Sequence, residues 1–191
     1  MQKGKLDAMK PFDRYFKGYE RIEEPKKNGK GTTYRYVYVG DWYGFPGGRA
    51  QGRRVKIKCT ILCAVSALSW LYAQLNPAVA GRSTWMAAVS VLILIPLLFE
   101  IVAFANFLPA GEKWEYRIYD YGYRRLFLFS GIFEGIVFIW LGMEIGFLIL
   151  FPRIRSAELR YLAAILICAL SQAAVLYILH KNRPVILEKG R

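Results

Sequence analysis

The sequence has few of the residues that carry most catalytic and metal chemistry. It contains one histidine and three cysteines among 191 residues. A structural zinc site takes four Cys or His ligands, and a nucleophilic enzyme pairs Ser or Cys with a base. His180 lies far along the chain from Cys59 and Cys63. The sequence therefore predicts no catalytic residue, no cofactor and no metal site, and leans away from an enzyme. A lipid-modifying enzyme that uses a glutamate stays an open alternative.

Acidic residues are also scarce, since 14 Asp and Glu face 27 Lys and Arg, for a formal net charge of +13. In a soluble protein such an excess favours nucleic-acid binding. Here the basic residues lie beside long apolar blocks and form no nucleic-acid-binding motif. We therefore interpret the charge as a membrane-topology signal next to anionic lipid headgroups. The expected partner is a lipid bilayer with anionic headgroups, and no nucleic acid.

Long apolar runs are absent from residues 1–57, but four nearly charge-free blocks follow. A helix needs about 20 apolar residues to cross a bilayer, and inside lipid only a helix or a closed barrel satisfies its own backbone. The predicted fold is a membrane all-α protein, a four-transmembrane-helix bundle. Because residues 1–57 carry no signal-peptide pattern, we expect the first helix to act as the insertion signal. The helices are predicted at about 58–75, 84–108, 126–151 and 159–179.

The distribution of Lys and Arg predicts the orientation of the helices. Fifteen basic residues precede or begin the first helix, and loop 109–125 and tail 180–191 hold four each. Loop 76–83 has only Arg82, and loop 152–158 has two. Basic residues that flank membrane helices are retained in the cytoplasm. The sequence therefore predicts a multi-pass protein of the cytoplasmic membrane with its N- and C-termini in the cytosol.

The cytosolic N-terminal region, residues 1–57, combines a helical and a strand pattern. Over residues 11–24 aromatic and basic side chains fall on opposite helix faces, which is typical of an amphipathic helix lying on a membrane. Packing of this helix on neighbouring strands is the alternative. Alternating Tyr34, Tyr36 and Tyr38 predict a strand at about 33–43. The expected membrane-surface contacts are Phe12, Phe16, Tyr19, Arg14, Lys17 and Arg21.

A second Tyr-rich segment, WEYRIYDYGYRR, lies in loop 109–125 and is predicted as another strand. Its likeness to the first segment indicates either a weak internal repeat of one strand and two helices or chance in a Tyr-rich chain. Both segments lie on the same predicted side of the membrane. They are therefore expected to pair into a small cytosolic β element, which needs a further layer for stability.

Glu100 and Glu134 interrupt apolar helices about eight residues from their predicted cytosolic ends. At ~1.5 Å per residue, this depth is roughly 12 Å into the hydrocarbon core, where ionisable residues face the bundle interior. Two carboxyl groups at one depth without a basic partner are not expected to be ionised together. Glu144 lies nearer the other end and is expected to reach the outer interface. The predicted intramembrane polar site consists of Glu100, Glu134, Ser66, Ser171 and Gln172.

The third predicted helix also carries two GxxxG pairs. Glycines at this spacing let another helix approach closely, and the neighbour is either a helix of this chain or one of a second copy. We therefore expect a homo-oligomer or a subunit of a membrane complex. The predicted helix-packing face consists of Gly131, Gly135, Gly142 and Gly146.

These features support two hypotheses of function. The first is a transport-related protein or transporter accessory subunit that uses the intramembrane Glu pair to bind a proton or cation. The alternative is a non-catalytic membrane anchor or assembly subunit whose basic, Tyr-rich face docks a partner protein or anionic lipid. A purely structural role for the two carboxyl groups, as contacts that hold helices together, is compatible with either.

Overall fold

Four long helices dominate the part of the chain that the structure describes. The computed structural model describes residues 18–25, 32–151 and 156–190. Each of the four helices is long and apolar enough to cross a membrane, which confirms the predicted helical, multi-pass class. They are α1 (Gly48–Leu75), α2 (Thr84–Phe107), α3 (Tyr116–Leu150) and α4 (Ser156–Lys181).

Helix α2 consists of two segments, Thr84–Leu92 and Leu94–Phe107, that meet at Ile93. Pro96 explains the break, since it has no N–H to donate to the carbonyl of Leu92 and its ring crowds that carbonyl. The second segment begins with Pro96 in its first turn. The interruption therefore lies about two turns before Glu100, and Pro96 lies one turn before it.

The segment predicted as a second strand is helical, and this prediction is wrong. Helix α3 opens with the turn Tyr116–Ile118 and the π-helical segment Tyr119–Arg124 before it continues as Arg125–Leu150. Tyr119 and Tyr123 share one helix face, where their rings stack 6.0 Å apart, whereas Tyr121 packs against the guanidinium of Arg125. The suggested repeat therefore lacks its second strand.

Among the described residues, two small antiparallel sheets lie at the end of the bundle where residues 18 and 190 are found. Strand β1 (Tyr19–Pro25) pairs with β2 (Thr32–Tyr38), so that Tyr19 is opposite Tyr38. Strand β3 (Trp42–Gly44) pairs with β4 (Val185–Glu188), which sequence analysis did not predict. Strands β2 and β3 both overlap the segment predicted as one strand at about 33–43, which is therefore divided into two. Strand β4 connects the C-terminal tail to the segment that precedes α1.

The predicted amphipathic helix at 11–24 is wrong for its second half, because those residues form β1. Tyr19 and Arg21 therefore lie on a strand. Cross-strand contacts explain the choice: the guanidinium of Arg21 lies 3.3 Å from the ring centroid of Tyr34, and the rings of Tyr19 and Tyr38 meet edge to face. The other predicted membrane-surface residues, Phe12, Arg14, Phe16 and Lys17, lie outside the described residues.

Helix α1 packs along α4, and α3 packs against both α4 and α2. Buried apolar side chains form two separate clusters. One is built around Phe107, Trp114 and Leu126 near the β strands, and the other contains Trp140 and Ile165 toward the opposite end. The interval between the clusters is where the polar residues of the helices meet.

Candidate functional site: a polar layer inside the helix bundle

Every one of the four helices places a buried polar side chain between the two apolar clusters. These side chains are almost fully shielded from the surroundings of the bundle. In a membrane such groups are costly unless they find partners inside the protein. The layer contains Ser66 of α1, Glu100 of α2, Ser130 of α3 and Gln172 of α4.

Glu100 is the centre of this layer. Its Oε1 accepts hydrogen bonds from the hydroxyl of Ser130 at 2.6 Å and from Nε2 of Gln172 at 2.7 Å. The thiol of Cys63 donates a third, longer bond to the same oxygen at 3.4 Å. One carboxyl oxygen therefore connects α2 to each of the other three helices.

Several buried oxygens of the layer have no hydrogen-bond partner among the described residues. They are Oε2 of Glu100, Oε1 of Gln172 and both carboxyl oxygens of Glu134. A buried acceptor without a donor requires an explanation, such as a bound proton, water or ion. The layer therefore offers carboxyl and amide oxygens of the kind that bind protons and hard cations.

Glu134 lies apart from the hydrogen-bonded network. It is 6% exposed, and it forms no hydrogen bond with Glu100. The partner of Glu100 on α3 is Ser130, so Glu134 lies one turn, about 6 Å, further along the helix. Cys168 of α4 is within electrostatic range of both carboxyl groups. The two acids therefore belong to one region without direct contact.

Two further predicted residues are buried at the layer but do not bind either carboxyl group. The hydroxyl of Ser66 lies 3.3 Å from Sγ of Cys168 and 3.5 Å from its carbonyl oxygen. Ser171 is buried next to Gln172, yet neither carboxyl group accepts a bond from it among the described contacts. Of the predicted neutral ligands, only Gln172 contacts a carboxyl group directly.

Sequence analysis missed two donors to Glu100, namely Cys63 and Ser130. Ser130 precedes Glu134 by four residues, so it lies on the same inward helix face, a signal that was present in the spacing. Cys63 carried no such signal, since thiols are weak hydrogen-bond donors. Its role depends on how closely α1 approaches α2 at this level, which no local pattern reveals.

A second buried acidic region lies at the opposite end of the bundle. Glu144 is fully buried, so the prediction that it reaches the outer interface is wrong. It follows the buried Val137 and Trp140 at helical spacing, which places it on the inward face of α3. Glu158 lies within electrostatic range of it. Oε1 of Glu158 accepts a 2.7 Å bond from the backbone N–H of Val79, which anchors the loop between α1 and α2.

The predicted glycine face is not packed within the described part of the chain. Gly131, Gly135 and Gly142 are exposed, and Gly146 is half-buried. A methyl group built on any of the four would meet nothing within 4 Å. Helix α3 instead turns the face that contains Phe133 inward.

No family model, curated protein or solved structure matches this chain. The described residues also include no group of three or more His, Cys, Asp and Glu side chains that could hold a metal ion.

Proposed function

We propose that this protein is a small transport-related membrane protein or transporter accessory subunit. In this proposal the carboxyl groups of Glu100 and Glu134 bind a proton or a cation inside the bundle. The supporting observation is that three of their four buried oxygens have no donor among the described residues. Ionisable residues within membrane helices most often mark such pathways.

A purely structural role would require fewer buried carboxyl oxygens than Glu100 and Glu134 contain. A contact between helices needs only the acceptor Oε1 of Glu100, which a glutamine side chain would also supply. Burying a carboxylate near the bilayer centre costs roughly 2.5–3.5 kcal/mol on the insertion scale. The second oxygen of Glu100 and the whole carboxyl group of Glu134 contribute no described hydrogen bond that offsets this cost.

The proposed location is the cytoplasmic membrane, with both termini in the cytosol. The support is the concentration of basic residues beside the start of α1 and the end of α4. A reporter active only in the cytosol, fused after residue 191, is expected to be active, whereas insertion of the same reporter at residue 80 is expected to be silent. The reverse pattern would invert the orientation.

A second copy of the chain is the proposed neighbour of the glycine face, since four helices enclose little volume for a transport pathway. Replacing Gly135 with Leu is expected to shift the purified protein from oligomer to monomer in light scattering. Ala105→Leu, on the exposed face of α2, is the control and is expected to leave the oligomer intact. A wild-type protein that is already monomeric in lipid discs would contradict the proposed assembly.

The function is tested with purified protein in lipid vesicles that carry a pH or cation gradient. We expect ion-driven flux that is lost in Glu100→Gln and in Glu134→Gln but retained in Glu158→Gln, which makes the same chemical change at the far end of the bundle. Infrared difference spectra across pH should show a carboxylic-acid band that each of the first two variants removes. Bands insensitive to pH and to every cation, together with unchanged stability, would mean that the acids are passive.

The alternative is a membrane anchor or assembly subunit, which the β1–β2 hairpin specifically favours. Tyr34 and Tyr36 are 47% and 52% exposed on this hairpin, and aromatic residues are enriched at protein interfaces. Under this alternative the purified protein shows no ion flux, and deleting residues 18–38 abolishes co-purification with membrane partners. Under the transport proposal the hairpin deletion spares the flux, and only the glutamine variants lose it.

A further inference from the structure

A groove opens on the side of the bundle between the first turns of α1 and the chain that follows α2. Its volume is about 690 Å³. One wall is α1 from Gly48 to Ile61, and the other consists of residues 108–112. Helices α1 and α2 pack little against each other, and Ile57 and Ile61 of the groove wall are exposed. In a helix that crosses a membrane, such exposed apolar side chains would contact lipid.

Three cationic side chains line the part of this groove nearest the start of α1. Arg49, Arg53 and Lys56 follow one another at spacings of four and three residues, which places them on one face of α1. The ammonium of Lys56 is held in place because it donates to the carbonyls of Leu108, at 3.1 Å, and of Ala110. Arg49 and Arg53 are exposed and form no ion pair with another described residue. Glu112 is the single acidic residue in the lining.

The part of the groove further along α1, toward the bundle centre, is apolar. Ile57 and Ile61 continue the wall of α1 toward the bundle centre and are 48% and 58% exposed. Leu108, also exposed, faces them across the groove. Along its length the groove therefore changes from cationic to apolar within about three helical turns, roughly 16 Å. A phospholipid has the same order of phosphate and acyl chain.

We propose that this groove binds one anionic phospholipid molecule. Arg49 and Arg53 contact its phosphate, Lys56 adds a fixed positive charge beside the glycerol esters, and one acyl chain lies along Ile57 and Ile61. Basic pockets at the membrane surface of helix bundles are suited to such headgroups. A soluble anion would use only the cationic part, and a protein ligand would have to enter the hydrocarbon to reach Ile61. This lipid site depends on the membrane placement of α1 and not on ion binding at Glu100.

The test is a titration of the full-length, delipidated protein with phosphatidylglycerol in detergent, followed by native mass spectrometry. Each arginine near an anionic headgroup contributes on the order of 1 kcal/mol, so the double variant Arg49→Gln/Arg53→Gln is expected to lower the affinity about 30-fold. The matched control is Arg54→Gln/Lys58→Gln. It removes the same charge from exposed positions of α1 outside the groove and is expected to retain full affinity.

Two further experiments distinguish binding of the lipid from binding of free phosphate. Ile61→Trp fills the apolar part, and we expect it to weaken phosphatidylglycerol binding while both arginines remain. Inorganic phosphate at millimolar concentration is expected to leave the thermal midpoint of the wild type unchanged. Equal lipid affinity in both double variants would overturn the site. Stabilisation by phosphate equal to that by phosphatidylglycerol would overturn the lipid as its ligand. If the double variant fails to fold, the lipid affinities of the single arginine variants and of Ile61→Trp test the site instead.

Discussion

The side-chain amide of Gln172 donates a hydrogen bond to Oε1 of Glu100 over 2.7 Å. This contact joins two helices that pack little against each other, because α4 packs mainly against α1 and α2 mainly against α3. A polar bond inside a membrane bundle contributes modestly, about 0.6 kcal/mol on average in measured cases. All four helices contribute to the layer that contains this bond. Because Glu100 accepts hydrogen bonds from the other three helices, its substitution affects more of these contacts than substitution of any one donor.

Removing the acceptor at Glu100 should destabilise the bundle more than removing its charge. Glu100→Ala leaves the hydroxyl of Ser130 and the amide of Gln172 without their acceptor, and we expect the free energy of unfolding to fall by about 2–3 kcal/mol. Glu100→Gln keeps an acceptor oxygen and should stay within about 1 kcal/mol of the wild type. The measurement is unfolding in mixed detergent micelles, with Leu98→Ala on the exposed side of α2 as control. Equal losses in the Ala and Gln variants would contradict this role for the acceptor.

Glu158 should control the order of the loop between α1 and α2. Its Oε1 accepts the backbone N–H of Val79, and removing the acceptor of a shielded N–H costs about 1–3 kcal/mol. In Glu158→Ala we expect the amide hydrogen of Val79 to exchange about 10–100-fold faster, and in Glu158→Gln much less so. The amide of Ser83, which donates to the carbonyl of Ala80, is the internal control. Unchanged exchange at Val79 in the Ala variant would show that the bond does not protect it.

The hydroxyl of Tyr123 should stabilise the contact between the start of α3 and the end of α4. It donates a 2.6 Å bond to the carbonyl of Leu179 inside the bundle. Tyr123→Phe leaves that carbonyl without this donor and is expected to lower the free energy of unfolding by about 1 kcal/mol. Tyr177→Phe removes the same hydroxyl from an exposed position of α4 and should change the free energy by less than about 0.5 kcal/mol. Equal effects of the two substitutions would rule out a specific role for the bond.

Tyr19 should ionise later than an ordinary tyrosine. Burial, and then the adjacent carboxylate of Glu115 that accepts its hydroxyl, raise the pKa of Tyr19 from 10.0 to about 12. Because the folded-state pKa is raised, its contribution to stability is complete below pH 10 and is lost as the pH rises from 10 to 12. The check is the ultraviolet difference titration between wild type and Tyr19→Phe. A difference spectrum with its midpoint at pH 10 would contradict the buried contact.

The register of the β1–β2 hairpin should be visible by cross-linking. Glu20 lies directly opposite Val37, and opposite residues have Cβ atoms about 4.5–5.5 Å apart, near disulfide range. We expect Glu20→Cys/Val37→Cys to form a disulfide that peptide mass mapping detects. In the control, Glu20→Cys/Thr33→Cys, the second cysteine is four residues further along β2, roughly 13 Å away. Cross-linking only in the control pair would exclude this register.

Periodicity and composition predicted the elements whose signals are local. Four apolar blocks of bilayer length became four helices, because a chain in lipid must satisfy its backbone hydrogen bonds within each segment. The predicted helix ends were less accurate than the number of helices. Helix α1 begins at Gly48, ten residues before the apolar block. Hydropathy does not detect these residues because many of them are basic, although they continue the same helix. The tyrosine-rich segments divided into a strand and a π-helical turn, since Tyr spacing alone is compatible with both.

Composition also identified Glu100, Glu134 and Gln172 as buried polar residues but not which of them would meet. The sequence by itself determined the number of helices long enough to cross a membrane, the row of glycines on α3 and the presence of acids within apolar helices, since each follows from residues near one another along the chain. The tertiary structure alone decided that Glu100 bonds to Ser130 and Cys63, that Glu144 turns inward, and that the glycine face is left open. These outcomes depend on how the helices rotate and slide against one another, and that packing is set by the summed contacts of all four.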